Sequence, residues 1–229
     1  MHRVKIRSIT AACKINDRIF SALLMGLRQG KFETERDISG FIDSQIRKAG
    51  ARKAFPTIVA IGKNAVDWHH RPANSKLAEG GFCVIDFGAR VNRYCSDMTR
   101  TIRFGKATAK EKGIYAKVLK ANMLCIKKTR AGVGGHEIYL YSRKILGSHA
   151  RFFGHGLGHG LKKIIHAHPR LSRKHRHSLR EGDIITIEPG IYIPHRMGIR
   201  IEDSVLVKAN GFEVLTKSPK KLIEVSLQK

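Results

Sequence analysis

Apolar positions divide the chain into four stretches of alternating period. Ile9, Ala12, Ile19, Leu23 and Leu27 keep one face apolar at helical spacing, and Gly30 supplies a stop. Thr34 with Asp37 forms a capping-box pattern, and Ile38, Phe41, Ile42 and Ile46 carry a second helix toward Pro56. Short β-rich runs follow at Thr57–Ile61, Cys83–Phe87 and Thr99–Phe104, separated by turns containing Gly, Asn and Pro. Thr108 and Glu111 open a third helix with Ile114, Val118, Leu119, Met123 and Ile126 on its apolar face. Gly132, Gly134 and Gly135 break it, and a fourth helix is predicted over His136–Leu146. The last third returns to strands at Asp183–Glu188, Gly198–Val207 and Phe212–Leu215. Helices then strands, twice over, predict a pseudo-symmetric α+β domain. Residues Arg170–Arg180 read as a charged loop, with His175 and His177 exposed. The segment from Lys217 reads as a frayed polar end.

Composition narrows the class. The 229 residues are 42% hydrophobic, which excludes disorder, collagen and coiled coil. Cys13, Cys83, Cys95 and Cys125 form no CxxC pair, so they read as reduced thiols of a cytoplasmic protein. No run reaches the roughly 20 apolar residues of a bilayer span, so membrane insertion is not expected. The net charge of +26 permits weak, non-specific nucleic-acid binding through a basic surface, or is a solvated basic face.

Acidic residues are scarce, so their positions are informative. Asp86 closes the apolar run Cys-Val-Ile-Asp-Phe-Gly, and Asp97 follows in Tyr-Cys-Ser-Asp-Met-Thr-Arg. Glu188 ends Ile-Ile-Thr-Ile-Glu, and Glu202 lies in Ile-Arg-Ile-Glu-Asp-Ser-Val. Four carboxylates embedded in apolar strands would repel one another in a dry core, and divalent cations resolve that conflict. His155 and His159 stand four apart in His-Gly-Leu-Gly-His-Gly, where glycines allow close backbone approach. Oxygen donors with one imidazole and no thiolate suit Mn²⁺, Zn²⁺, Co²⁺ or Fe²⁺.

In this order and spacing, Asp86, Asp97, His159, Glu188 and Glu202 resemble the five metal ligands of the pita-bread metallopeptidases. The strings Ile-Asp-Phe-Gly, Ser-Asp-Met-Thr-Arg-Thr, Thr-Ile-Glu-Pro-Gly-Ile-Tyr and Arg-Ile-Glu-Asp match as well. The resemblance runs from about Ile6 to Pro219. Arg200-Ile-Glu202-Asp203, and the absence of Cys-His-Gly around His69, resemble the Xaa-Pro aminopeptidase and prolidase branch rather than methionine aminopeptidases.

The resemblance implies a curved antiparallel sheet flanked by helices, and residues 1–229 as a single catalytic domain without the N-terminal domain usual in that branch. It implies a peptide substrate and two divalent metal ions, Mn²⁺ first, whose shared hydroxide attacks the bond before proline. Asp86 would chelate one metal, His159 and Glu188 the other, with Asp97 and Glu202 bridging. Glu188 would also shuttle protons, and His69, His155 and His166 would hold substrate or the developing oxyanion. Arg200 matches an arginine that orients a ligand carboxylate. The state would be a monomer or homodimer. Trp68 stands where the family commonly has proline, and Ala167 where it commonly has an acid. Methionine aminopeptidase activity and a non-catalytic peptide- or nucleic-acid-binding module are the alternatives.

Overall fold

A computed structural model describes residues 2–226. Its elements run α1 (His2–Arg28), α2 (Glu35–Lys48), β1 (Arg52–Lys53), β2 (Ile58–Ile61), β3 (Gly81–Phe87), β4 (Ala89–Val91), β5 (Tyr94–Cys95) and β6 (Met98–Phe104). Then come α3 (Ala109–Lys128), α4 (Gly135–Leu146), β7 (Gly158–Gly160), β8 (Ala167–Leu171), β9 (Ile184–Ile187) and β10 (Gly190–Ile193). The chain continues through β11 (Met197–Arg200), β12 (Asp203–Lys208), β13 (Gly211–Val214) and β14 (Glu224–Val225).

Both capping boxes form. Asp37 N–H donates to Thr34 Oγ1 and Thr34 N–H to Asp37 Oδ2, at 3.3 and 2.8 Å. The Thr108–Glu111 pair repeats this at 3.2 and 2.7 Å. Satisfying two orphan donors at each start fixes where α2 and α3 begin. Ile38, Ile42 and Ile46 of α2 are fully buried against β2, β3 and β6. Each contributes roughly 1.5–3 kcal/mol of apolar burial.

Two cores result. One joins α1 and α2 to β2, β3 and β6; the other joins α3 and α4 to β9–β12. Each half is therefore a helix pair on a sheet, as the alternation of periods predicted. The first sheet has order β14-β6-β3-β2, and the second β13-β12-β9-β7-β8. Pairing is antiparallel throughout both, except that β14 lies parallel to β6. Strand β11 pairs with β10 and packs against β3 of the other half. The Thr101 hydroxyl locks this junction, donating to Arg200 O at 2.7 Å and accepting from Arg200 N–H at 3.1 Å.

Four expectations are corrected. The run Gly198–Val207 is two strands, β11 and β12. The chain breaks between them because Glu202 N–H turns aside to donate to Thr99 O at 3.1 Å. Arg170 and Leu171 belong to β8, opposite His159 and Gly158, so the charged loop starts at Ser172. His177 is exposed, whereas His175 is half-buried, with Nδ1 2.8 Å from Ser172 Oγ.

The segment from Lys217 is tied down rather than frayed as far as it is described; residues 227–229 lie outside the described residues. Ser218 N–H and Oγ–H both donate to Asp17 Oδ1, at 2.7 and 2.6 Å. Arg100 is 1% exposed and donates to Ser218 O and Asp203, while Lys220 Nζ reaches Asp203 at 2.6 Å. A buried arginine and aspartate need every available partner, and the C-terminal segment supplies them. All four cysteines are buried and unpaired. Among the described residues no helix is long and apolar enough to cross a membrane.

Candidate metal centre

A cavity of about 780 Å³ opens where the two halves meet. Asp86, Asp97, His159, Glu188, Glu202, Arg200, His69, His155 and His166 all line it. Strand ends bring the acidic groups in. Asp86 faces Thr99 across the β3–β6 ladder, and Asp97 directly precedes β6. His159 is the middle residue of β7, Glu188 follows β9, and Glu202 sits in the break between β11 and β12.

The glycines beside His159 have a packing reason. A Cβ on Gly158 would stand 1.9 Å from Thr186 O, and one on Gly160 2.3 Å from His168 O. Gly158→Ala is therefore expected to cost about 3 kcal/mol or more, since backbone rather than a flexible side chain blocks the methyl. Chemical denaturation of the metal-free protein checks this; an unchanged midpoint would refute it.

Three groups form the tightest cluster: Asp97, His159 and Glu202 offer ligand atoms all within 4.8 Å of one another. Glu188 Oε1 lies 3.4 Å from His159 Nε2, and Asp97 Oδ2 lies 3.5 Å from it. The His159 ring is neutral, because burial and the neighbouring His166 push its pKa down to about 3. Its Nδ1 faces Gly160 O at 3.3 Å. A carbonyl only accepts, so Nδ1 carries the proton and Nε2 presents a lone pair to two carboxylates. Acceptors facing acceptors need a shared proton or a bound cation between them.

The carboxylates report the same conflict. Burial, then Glu202, Asp86 and Glu188, raise the Asp97 pKa well above its usual value. Burial, then Glu188 and Asp86, do so for Glu202. Burial lifts Glu188 to about 7. Asp86 Oδ1 and Asp97 Oδ1 are buried with no hydrogen-bond partner. A donor set of carboxylates and one imidazole, with two orphaned oxygens and a free Nε2, fits hard or borderline divalent cations.

Arg200 organises the rest. It donates from NH2 to Asp86 Oδ2 at 2.7 Å, from Nε to Thr99 Oγ1 at 3.1 Å and from NH1 to Tyr192 OH at 2.9 Å. Thr99 Oγ1 in turn donates to Glu202 Oε2 at 2.6 Å. Tyr192 OH stands 2.8 Å from His155 Nε2, and His155 Nδ1 stands 2.7 Å from Gly156 O. The carbonyl fixes the His155 tautomer, so Tyr192 OH donates to Nε2. Burial and Arg200 lower the His155 pKa to about 3, keeping it neutral.

His166 packs edge-on against His159 with ring centroids 4.6 Å apart. His69 is exposed at the cavity mouth, its N–H donating to Asp67 Oδ1 at 2.9 Å. Sequence reasoning assigned no role to Thr99, Thr186 or Tyr192. Thr186 Oγ1 accepts from His159 N–H and donates to Glu188 Oε1, at 3.0 and 3.1 Å. All three lie inside the strings quoted for the resemblance, Thr99 and Thr186 two residues from a ligand and Tyr192 four, which was the available signal. His70 was also passed over. It pairs with the fully buried Glu35 at 2.8 Å and anchors the segment bearing His69.

Comparison with known proteins identifies the family. The profile of metallopeptidase family M24 matches residues 7–209. The chain belongs to this family. It is 37% identical over 222 residues to an Xaa-Pro dipeptidase of Pyrococcus horikoshii, covering 96% of this chain and 63% of that protein. The X-Pro aminopeptidase of Thermotoga maritima superposes with a TM-score of 0.92 at 34% identity, covering 97% of this chain and 64% of that one. Prolidase from Pyrococcus furiosus gives 0.88 at 36% identity, with 94% and 64% covered. The fold is the pita-bread fold of these family M24 structures, and the chain spans less than two thirds of such relatives.

Proposed function

We propose that this family M24 chain is the catalytic domain of an exopeptidase that hydrolyses the N-terminal peptide bond before proline with two divalent cations, manganese first. The observation that carries the reading is the His159 Nε2 lone pair pointed at Asp97 and Glu188 beside two orphaned carboxylate oxygens. Asp86, Asp97, His159, Glu188 and Glu202 would hold the cations. Bound there, the metals would supply an activated water as nucleophile and polarise the scissile carbonyl.

The remaining roles fall to side chains. Glu188, lifted to about 7 by burial, is placed to take a proton on a carboxyl oxygen and return it to the leaving amine. Neutral His155, oriented by Tyr192, can donate through Nδ1 only by leaving Gly156 O, so it is set to shape the pocket wall. His69 and His166 flank the mouth and can hold the substrate carbonyl. Arg200 holds Asp86 in place and, through Thr99, Glu202 as well. The similarity to an Xaa-Pro dipeptidase and an X-Pro aminopeptidase supports proline as the second residue. Four unpaired buried thiols support a cytoplasmic location.

A peptide panel of Xaa-Pro and Met-Xaa substrates, run beside metal analysis, tests the reading. Cleavage is expected for Xaa-Pro peptides alone, and only with metal. Proven metal occupancy with no cleavage of either set would refute it. Cleavage of Met-Xaa alone would move the chain to methionine aminopeptidase activity.

A further inference from the structure

The 43 residues from Ile138 to Arg180 contain no aspartate or glutamate, but ten lysines and arginines and seven histidines. This segment builds one side of the cavity: His155, His159, Ile165, His166 and Arg170 all line it. The N-terminal half adds Lys53 from β1 and exposed Arg71 from the loop after His70 to the lining. Among the described lining residues, the only carboxylates are Asp86, Asp97, Glu188 and Glu202 on the floor. Lys53 shares Asp43, which lies outside the cavity lining. No ion pair engages Arg71 or Arg170 among the described residues, although Arg170 donates to His166 O at 2.7 Å.

We infer that the mouth selects peptides that are acidic beyond the cleaved bond. The inference rests on the proposed peptidase reading. Two divalent cations would balance four floor carboxylates, and Lys53 is already matched by Asp43, so the net field at the mouth would come from Arg71 and Arg170. A cleft lined by one sign of charge within low-dielectric walls focuses that field on an arriving ligand. An N-terminal residue and proline would occupy the floor, and the following residues would pass between Arg71 and Arg170. Carboxylates there meet two unpaired guanidiniums, which present fork-like donors suited to them. Lysines there meet only like charge. On this account part of the +26 charge serves substrate selection.

The chain's single tryptophan, Trp68, lines the cavity, with its ring centroid 5.0 Å from that of His155. Its fluorescence reads peptide binding whether or not hydrolysis follows. The metal-loaded protein is titrated with Ala-Pro-Glu-Glu, Ala-Pro-Gln-Gln and Ala-Pro-Lys-Lys, all amidated at the C-terminus, and hydrolysis is followed in parallel. The acidic peptide is expected to bind about tenfold tighter than the neutral one, and the basic peptide weakest, with the gaps closing at high salt. Arg71→Gln is expected to narrow the acidic preference about threefold. Equal binding of the three peptides, or a preference indifferent to both salt and Arg71→Gln, overturns the inference. If the order holds but no peptide is cleaved, the mouth stands as an acidic-peptide site and the peptidase reading fails. If all three are cleaved and bound alike, the reverse holds.

Discussion

Asp97→Asn is expected to abolish peptidase activity, by about 10³-fold or more, and at the same time to stabilise the metal-free protein. The two effects have one cause. Asp97 is 5% exposed, and its carboxyl is raised by burial and by repulsion from Glu202, Asp86 and Glu188. An amide of the same shape takes one ionisable group out of that cluster and with it the cost of burying the carboxyl, so unfolding of the metal-free variant should need more denaturant. The amide also removes an anionic donor facing His159 Nε2, so metal occupancy should fall and the activated water with it. Thermal denaturation with and without Mn²⁺, metal analysis and peptide hydrolysis check all three. Unchanged turnover, or a variant that still gains the wild-type increment from metal, would discard Asp97 as a ligand.

Chelation should reverse the pH dependence of stability. Asp97, Glu188 and Glu202 all have folded pKa values raised above their unfolded ones, chiefly by burial. Such groups contribute stability below the unfolded pKa and lose it as pH rises through the folded value, which for Glu188 is about 7. His155 and His159 are depressed to about 3, so their contribution is complete above the ordinary imidazole range and is lost as pH falls toward 3. The metal-free protein should therefore weaken as pH rises from the ordinary carboxyl range toward about 7, by roughly 3 kcal/mol in all for a group shifted like Glu188, of which about 1 kcal/mol falls between pH 6 and pH 8. Added Mn²⁺ needs those same carboxylates deprotonated, so its stabilisation should grow over that interval, by roughly 5–10 °C in melting temperature. Melting curves with and without chelator at both pH values decide it. A metal increment equal at the two values would contradict the assigned ligands.

Much of this protein is local and was legible as such. The capping pairs Thr34–Asp37 and Thr108–Glu111 involve atoms three residues apart, so their geometry follows from the helix itself. The apolar stripe of α2 fixed which face it buries. Ligand candidates were legible for a different reason: a carboxylate inside an apolar strand is costly alone, so each one marked a place where a partner had to exist.

The hydrogen bonds of Arg200 were not legible in that way. Asp86 and Thr99 sit about a hundred residues from Arg200, and only β11 packing across the junction puts Arg200 within reach of them; Tyr192 comes from the neighbouring strand of the β10–β11 hairpin. The break at Glu202 was missed because the hydrophobic run continues through it; a single backbone bond to Thr99 overrides the periodicity. Likewise the C-terminal segment looks polar and free, yet the buried Arg100–Asp203 pair recruits it. The sequence alone determined the helices, the start points of α2 and α3 and the identity of the chemical groups, since these depend on neighbours a few positions apart. The tertiary structure decided which acceptors face one another, which tautomer His159 takes and which walls of the cavity carry charge. Those depend on distances across the two halves, and no spacing along the chain encodes them.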